Sequence, residues 1–376
     1  VRVEAGSVVR AVGNGADAAN LAIAPSMPVF IHPWDSSQNA PAEDHGGAFM
    51  RVSNLGDITV SRTNVQSRGG DMIVEAGAIV EATDAVLLDS TRNTIVGNGA
   101  TVKAGAITAA AGLVSLGAVP EGAEGLVFTG ATLDGLTQAD KLTLKSYSTI
   151  DFYGDVALDL TGAVTLDGAA FVDRGAAPGT VNISAKTIEL RNSDAATIDA
   201  TGSGGQFLLS GENIVIGEGD IDFAFSRTAM SATQRVIFDG LGENRFDGSL
   251  GLSAVEITGT SGAGHEVAAA GTLTLGYDGT VKSPLPTFAS SGALLDFTGS
   301  EVVMRNATIR AGSGTVRATA TQGDVSVGLD TLIDVRGSDV SFFEVAGFLP
   351  GGSVQLTSVT GDVVVTSGAT IDISGG

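Results

Sequence analysis

Three features of the chain predict an all-β fold. The composition disfavours helix: 376 residues include 53 Gly, with 28 Asp against 14 Glu and 15 Arg against 5 Lys. Asp and Gly favour turns and weaken helix interiors, while Glu and Lys, the useful surface helix formers, are scarce. Short apolar runs alternate with Thr, Ser, Asn, Asp and Lys at a period of two, as in Thr272-Leu273-Thr274-Leu275, which is the pattern of half-buried strands. Finally, near the C-terminal end three such runs and their Gly-containing turns occupy about 22 residues, the length of a stacking repeat. Together these predict a right-handed parallel β-helix of three-strand coils, each of about 20–22 residues, with a long loop insertion near the N-terminus. A sandwich would need longer strands and paired hairpin turns of the Asn-Gly kind, for which Asn98-Gly99 is one candidate.

The segments follow in order. The chain opens Val1-Arg2-Val3-Glu4 with no charged-then-apolar leader, and it reads as a processed piece or part of a longer chain. Residues 20–47 hold four of the nine Pro, the only Trp and two of the three His, so they read as a loop leaving the coil. Strands are expected at 57–61 and 72–77, before the weakly patterned Ala/Gly/Leu-rich stretch 104–125, and again at 141–145. One complete coil is read at 179–205, with sides at 179–184, 186–191 and 196–201 before Gly204-Gly205. A further strand at 272–276 leads into a second loop, 276–292, marked by Ser283-Pro284-Leu285-Pro286. The last coil has sides at 353–358, 361–366 and 369–374. No linker or charge run interrupts the series, so 1–376 reads as one domain.

Composition also limits function. The net charge of -22 opposes binding to nucleic acid or anionic lipid. The absence of Cys excludes disulfide and thiol chemistry, and no run approaches the roughly 20 apolar residues of a membrane helix. With aromatics at only 5%, the interior is expected to be Val, Leu, Ile and Ala.

Candidate chemistry is thin. Asp220 and Asp222 alternate onto one strand face, and Asp151 lies four residues from Asp155; either pair suits a carbohydrate-active site, where clustered carboxylates work with a basic residue and often Ca²⁺. Among 42 acids such pairs also arise by chance, as solvated corner residues. His32 and His45, with Asp35, Glu43 and Asp44 between them, suggest a metal clip; a solvated loop anchored by Trp34 is the plainer reading. His265 stands alone. A nucleophile elbow, a P-loop and a dinucleotide fingerprint are absent. Gly-Gly pairs are not followed by the Asp of a calcium-binding roll, leaving at most weak Ca²⁺ binding by corner Asp. Arg68-Gly69-Gly70-Asp71 and Arg336-Gly337-Ser338-Asp339 only approach an Arg-Gly-Asp tripeptide, and the sequons Asn182-Ile183-Ser184 and Asn306-Ala307-Thr308 are frequent by chance. No catalytic, cofactor-binding or metal residue is assigned, and the chain is expected not to be an enzyme.

Three strings carry a family resemblance: Gly47-Ala48-Phe49-Met50-Arg51-Val52-Ser53-Asn54, Leu144-Lys145-Ser146-Tyr147-Ser148-Thr149-Ile150-Asp151-Phe152-Tyr153-Gly154, and the closing stretch from Gly351-Gly352-Ser353 to Ile373-Ser374-Gly375-Gly376. They resemble the large filamentous haemagglutinin-family exoproteins of proteobacteria, over nearly the whole chain and most closely from Gly46 onward. The resemblance implies a two-partner secretion substrate, exported through an outer-membrane β-barrel transporter and folded outside as a β-helical rod. It further implies a secreted or cell-surface location and a structural or adhesive role, with self-association into filaments, biofilm formation, or a glycan or protein receptor as its outlets. No functional residue of the family maps onto this segment. The runner-up readings are a polysaccharide lyase or hydrolase and a ligand-capture module built on the 20–47 loop.

Overall fold

The computed structural model describes residues 1–12, 29–31, 46–56, 60–62, 70–128, 138–194, 196–198, 200–279, 285–288, 290–337, 339–342 and 345–375. Among them there is no helix, and strands recur from Arg2–Val3 to Thr370–Asp372. The period-two pattern sets the burial. In Thr180–Arg191, Val181, Ile183, Ile188 and Leu190 point inward, while Asn182 and Lys186 are exposed. β-branched and apolar residues on one side of a pleated strand find a core, and their polar neighbours find water.

Nearly all strands fall into three parallel ladders. The first has thirteen strands and runs from Arg2–Val3 to Ser353–Ser358. The second begins as a three-stranded sheet of Val8–Ala11, Ile79–Ala82 and Thr101–Lys103, then resumes at Val156–Asp159 and continues to Val363–Val365. The third runs from Ala85–Ser90 to Thr370–Asp372. Thr180–Arg191, Gln206–Ile216 and Arg227–Phe238 are long enough to belong to both the second and third ladders, and they close these into one sheet. In regular stretches paired residues are 21 to 24 positions apart, as for Thr149 with Ala170 and Ala163 with Thr187.

One apolar core lies between the ladders. It contains the expected Val, Leu, Ile and Ala, but its largest fully buried side chains are Phe. Phe171 stacks on Phe207 with ring centroids 5.7 Å apart, Phe207 meets Phe225 at 5.0 Å, and Phe223 stacks on Phe246 at 4.2 Å. Few aromatics are present, yet they are concentrated where adjacent strands bring their rings into register.

Several segments depart from expectation. Stretch 104–125 contains two strands, Ala106–Ala111 and Val114–Gly117, whose small residues fit a tight interior. Leu126–Phe128 then inserts between Asn93–Val96 and Val114–Gly117 in the first ladder, against chain order. In the coil read at 179–205 the first two sides are one continuous strand, and the described residues of the third carry no strand. The described residues of 192–205 carry no strand of the first ladder, and Ala200 packs on Ala170, Val172 and Ala224. Ala170–Asp173 therefore pairs directly with Ile221–Ala224. The small outward side chains leave room for the arm, and the Asn192 amide fastens it by donating to Ala196 O and Asp220 O.

After Leu273–Gly276 the described residues up to Ala293 carry no strand, and Glu256–Gly259 pairs directly with Thr308–Arg310. The last coil has strands at Ser353–Ser358, Val363–Val365 and Thr370–Asp372, one in each ladder. Two antiparallel pairs accompany the parallel stack: Ala48–Ser53 on Ala85–Ser90, and Asp339–Phe342 on Val345–Phe348. Most of the 20–47 loop lies outside the described residues, but Val29–Ile31 within it is a strand, paired in parallel with Val60–Arg62. No helix among the described residues is long and apolar enough to cross a membrane.

Candidate functional site

The acid pairs suggested by spacing do not converge. Asp151 is buried on the outer side of the first ladder, where Thr149 Oγ1 donates to it at 2.7 Å and Arg174 Nε lies 3.4 Å away. Burial pushes its carboxyl up, against the opposing pull of Thr149 and Arg174. Arg174 also donates to Thr201 O at 2.9 Å, tying this acid to the overlying arm. Asp155 sits at the next corner and accepts the Thr180 N–H at 2.8 Å. Asp220 likewise accepts the Glu243 N–H at 2.8 Å, whereas Asp222 faces the register neighbours Ala170 and Arg245. Corner Asp residues thus satisfy backbone donors of the following rung, a purpose that also engages Asp324 with the Asp362 N–H at 2.8 Å.

Charge is instead organised along the third ladder. Arg235 Nε meets Glu256 at 2.8 Å, Arg310 bridges Glu256 at 2.9 Å and Asp334 at 3.3 Å, and Arg336 joins Asp334 at 2.9 Å to Asp372 at 3.4 Å. Burial tends to raise Asp334, but hydrogen bonds from Arg336 and the charges of Arg336 and Arg310 hold it below its ordinary value. Pro286 and Phe288 cover one end: Pro286 O accepts from Arg235, and the Phe288 ring lies 5.4 Å from the guanidinium.

A second group surrounds Lys145, whose ammonium reaches Ser193 Oγ at 3.1 Å and Asp194 Oδ1 at 3.0 Å. Asp167 is its register neighbour and pairs in turn with Arg191 at 2.9 Å. Burial raises Asp194, with Lys145 opposing. Sequence reasoning missed both groups. The available signal was opposite charge one repeat apart, as in Arg235 and Glu256 or Asp167 and Arg191.

The outer side of the second ladder is different in kind. Ser184, Ser210, Ser231 and Ser253 stand in register on successive strands. They border two shallow depressions of about 280 and 330 Å³ that share Ala229 and Ser231. Arg227 and Asp278 lie at one end and Asp159 at the other. This surface offers hydroxyls at strand spacing, about 4.8 Å, to an extended polar ligand.

His265 is fully buried in the core; its Nδ1 faces the Asn244 amide at 3.1 Å and its Nε2 faces Asp239 O at 3.1 Å. Burial lowers its pKa, so the ring is neutral at physiological pH. Asn182 of the first sequon is exposed, whereas Asn306 of the second donates its amide to Tyr277 O at 2.8 Å. His32, Trp34, Asp35, Glu43, Asp44 and His45 lie outside the described residues. Among the described residues no group of three or more His, Asp or Glu is arranged to hold a metal ion. No protein-family model matches the chain, and no curated protein or solved structure matches it.

Proposed function

We propose that this chain is a right-handed parallel β-helical rod segment of a secreted or surface-displayed exoprotein of the filamentous haemagglutinin type, with a structural or adhesive role. The observation that carries the reading is the parallel pairing, at offsets of 21 to 24 residues in its regular stretches, over one continuous apolar core. Stacked rungs bury their inward residues only against neighbours, so such a chain folds from any nucleus as it emerges from an outer-membrane β-barrel transporter. Freedom from Cys removes disulfide capture on the way. The serine-bordered surface of the second ladder is the face offered to a glycan or protein receptor.

Thirteen first-ladder strands at strand spacing give a length of roughly 60 Å. Solution scattering should therefore report an elongated particle, and a compact scattering profile would sink the rod. Antibodies to the chain should label intact producing cells; labelling only after permeabilisation would sink the surface location.

A carbohydrate-active reading is favoured by one observation, the buried, upward-shifted Asp151 beside Arg174. Turnover of uronate polysaccharides that is lost in Asp151→Asn would establish it. No turnover, or turnover unchanged in that variant, rejects this site.

A further inference from the structure

Three corners near the N-terminal end repeat one turn. In Glu4-Ala5-Gly6-Ser7, Glu75-Ala76-Gly77-Ala78 and Gly97-Asn98-Gly99-Ala100 the fourth residue donates its N–H to the first carbonyl, at 3.0, 3.0 and 2.9 Å. Gly6, Gly77 and Gly99 have φ of 76, 75 and 77°, while the residue before each has negative φ, which defines a type II turn. Ala5, Ala76 and Asn98 thus occupy the same exposed position. Only the third corner places a side-chain amide there.

We propose that Asn98 is a site of spontaneous covalent modification, converting through a cyclic imide to aspartyl and isoaspartyl residues. The Gly99 backbone nitrogen attacks Asn98 Cγ; the N–Cγ bond forms, the Cγ–Nδ2 bond breaks, and ammonia leaves with the Gly99 proton. Water then opens either C–N bond of the imide, giving a side-chain carboxylate or a backbone lengthened by one methylene. The peptide between Asn98 and Gly99 must rotate for the attack. Gly99 permits this, because it has no side chain and nothing lies within 4 Å of where a Cβ would be. Asn98 is exposed, and its side chain donates no hydrogen bond among the described residues.

Other asparagines supply internal controls. Asn192 precedes a small residue but is buried and its amide is doubly bonded, to Ala196 O and Asp220 O. Asn93 is held between Asp71 and the Gly125 N–H. Asn182 is exposed, but the branched Ile183 follows it. Asn14-Gly15 lies outside the described residues. An isoaspartyl at position 98 would lengthen the corner just before Thr101, whose N–H donates to Ala78 O at 2.9 Å, in an end strand of its three-stranded sheet.

Peptide mapping after incubation of the folded protein in mildly alkaline buffer tests the idea. Trypsin releases residues 93–103 as one peptide, in which fragmentation separates Asn98 from Asn93. The expected result is conversion at Asn98 more than about tenfold faster than at Asn182 or Asn192, with an isoaspartyl product that an isoaspartyl methyltransferase labels. Asn98→Ala should abolish that labelled peptide without changing the melting temperature, because Ala76 already serves the adjacent corner. Equal rates at Asn98 and Asn182, or an intact Asn98 under conditions that convert a free peptide of the same sequence, would overturn the proposal.

Discussion

Single side chains hold the corners where the ladders turn. Asp173 is buried and accepts three backbone N–H groups, from Gly175 at 3.1 Å, Gly179 at 3.4 Å and Gly205 at 2.8 Å. Asp173→Ala leaves these donors without their acceptor and should cost roughly 2–4 kcal/mol in chemical denaturation. A loss under about 0.5 kcal/mol would show that water replaces the carboxylate. His265 sets a pH limit. Burial lowers its folded pKa below the ordinary 6.5. The unfolded chain therefore binds the proton more readily, and the contribution of His265 is complete above about pH 6.5 and lost as pH falls through the folded value. Melting temperature should drop as pH is lowered below 6.5, and His265→Gln should flatten that part of the profile. Neither role was legible from residue type. Asp173 looked like one corner acid among many, and the isolated His265 gave no hint that Asn244, 21 positions earlier, would face it.

Strands and their cross-strand partners set the stability of the third ladder. Arg310 is shared by Glu256 and Asp334, both nearly buried, so Arg310→Ala should cost roughly 2–3 kcal/mol, less than a fully buried pair because the guanidinium is partly wet. Arg245–Glu243 is exposed at both ends, and Arg245→Ala should change stability by less than about 1 kcal/mol. Equal losses from the two variants would refute this ranking. Strand existence was legible wherever the period-two pattern was strong, as at Thr180–Arg191 and Ser353–Ser358. It was not legible in Ala106–Ala111, because Ala and Gly carry little periodic signal. It misled at 196–201, where the packing of Ala200 outside the ladder prevailed over local propensity.

For the whole molecule, contacts that join only neighbouring rungs predict graded stability. Native-state hydrogen exchange should show the strongest protection around the Phe171, Phe207 and Phe223 stack, falling off along the ladders away from it. Uniform protection from end to end would mean that unfolding is all-or-none. The all-β class was legible because it follows from spacing along the chain. The charged groups around Lys145 and Arg310 were not, because they depend on which residues share a register.

The unequal strand counts of the ladders have a geometric consequence. Among the described residues the first ladder gains Leu126–Phe128 against chain order and has no strand between Ala170–Asp173 and Ile221–Ala224, while the third has none between Glu256–Gly259 and Thr308–Arg310. Each imbalance acts as a wedge one strand spacing thick, about 4.8 Å, on one side of the stack. In a rod of the proposed kind the long axis would turn away from the first ladder near residue 126, back towards it near 200, and towards the third near 285. The sequence sets this path by where it skips a strand, so deleting an arm would redirect the curve while leaving the rungs on either side intact.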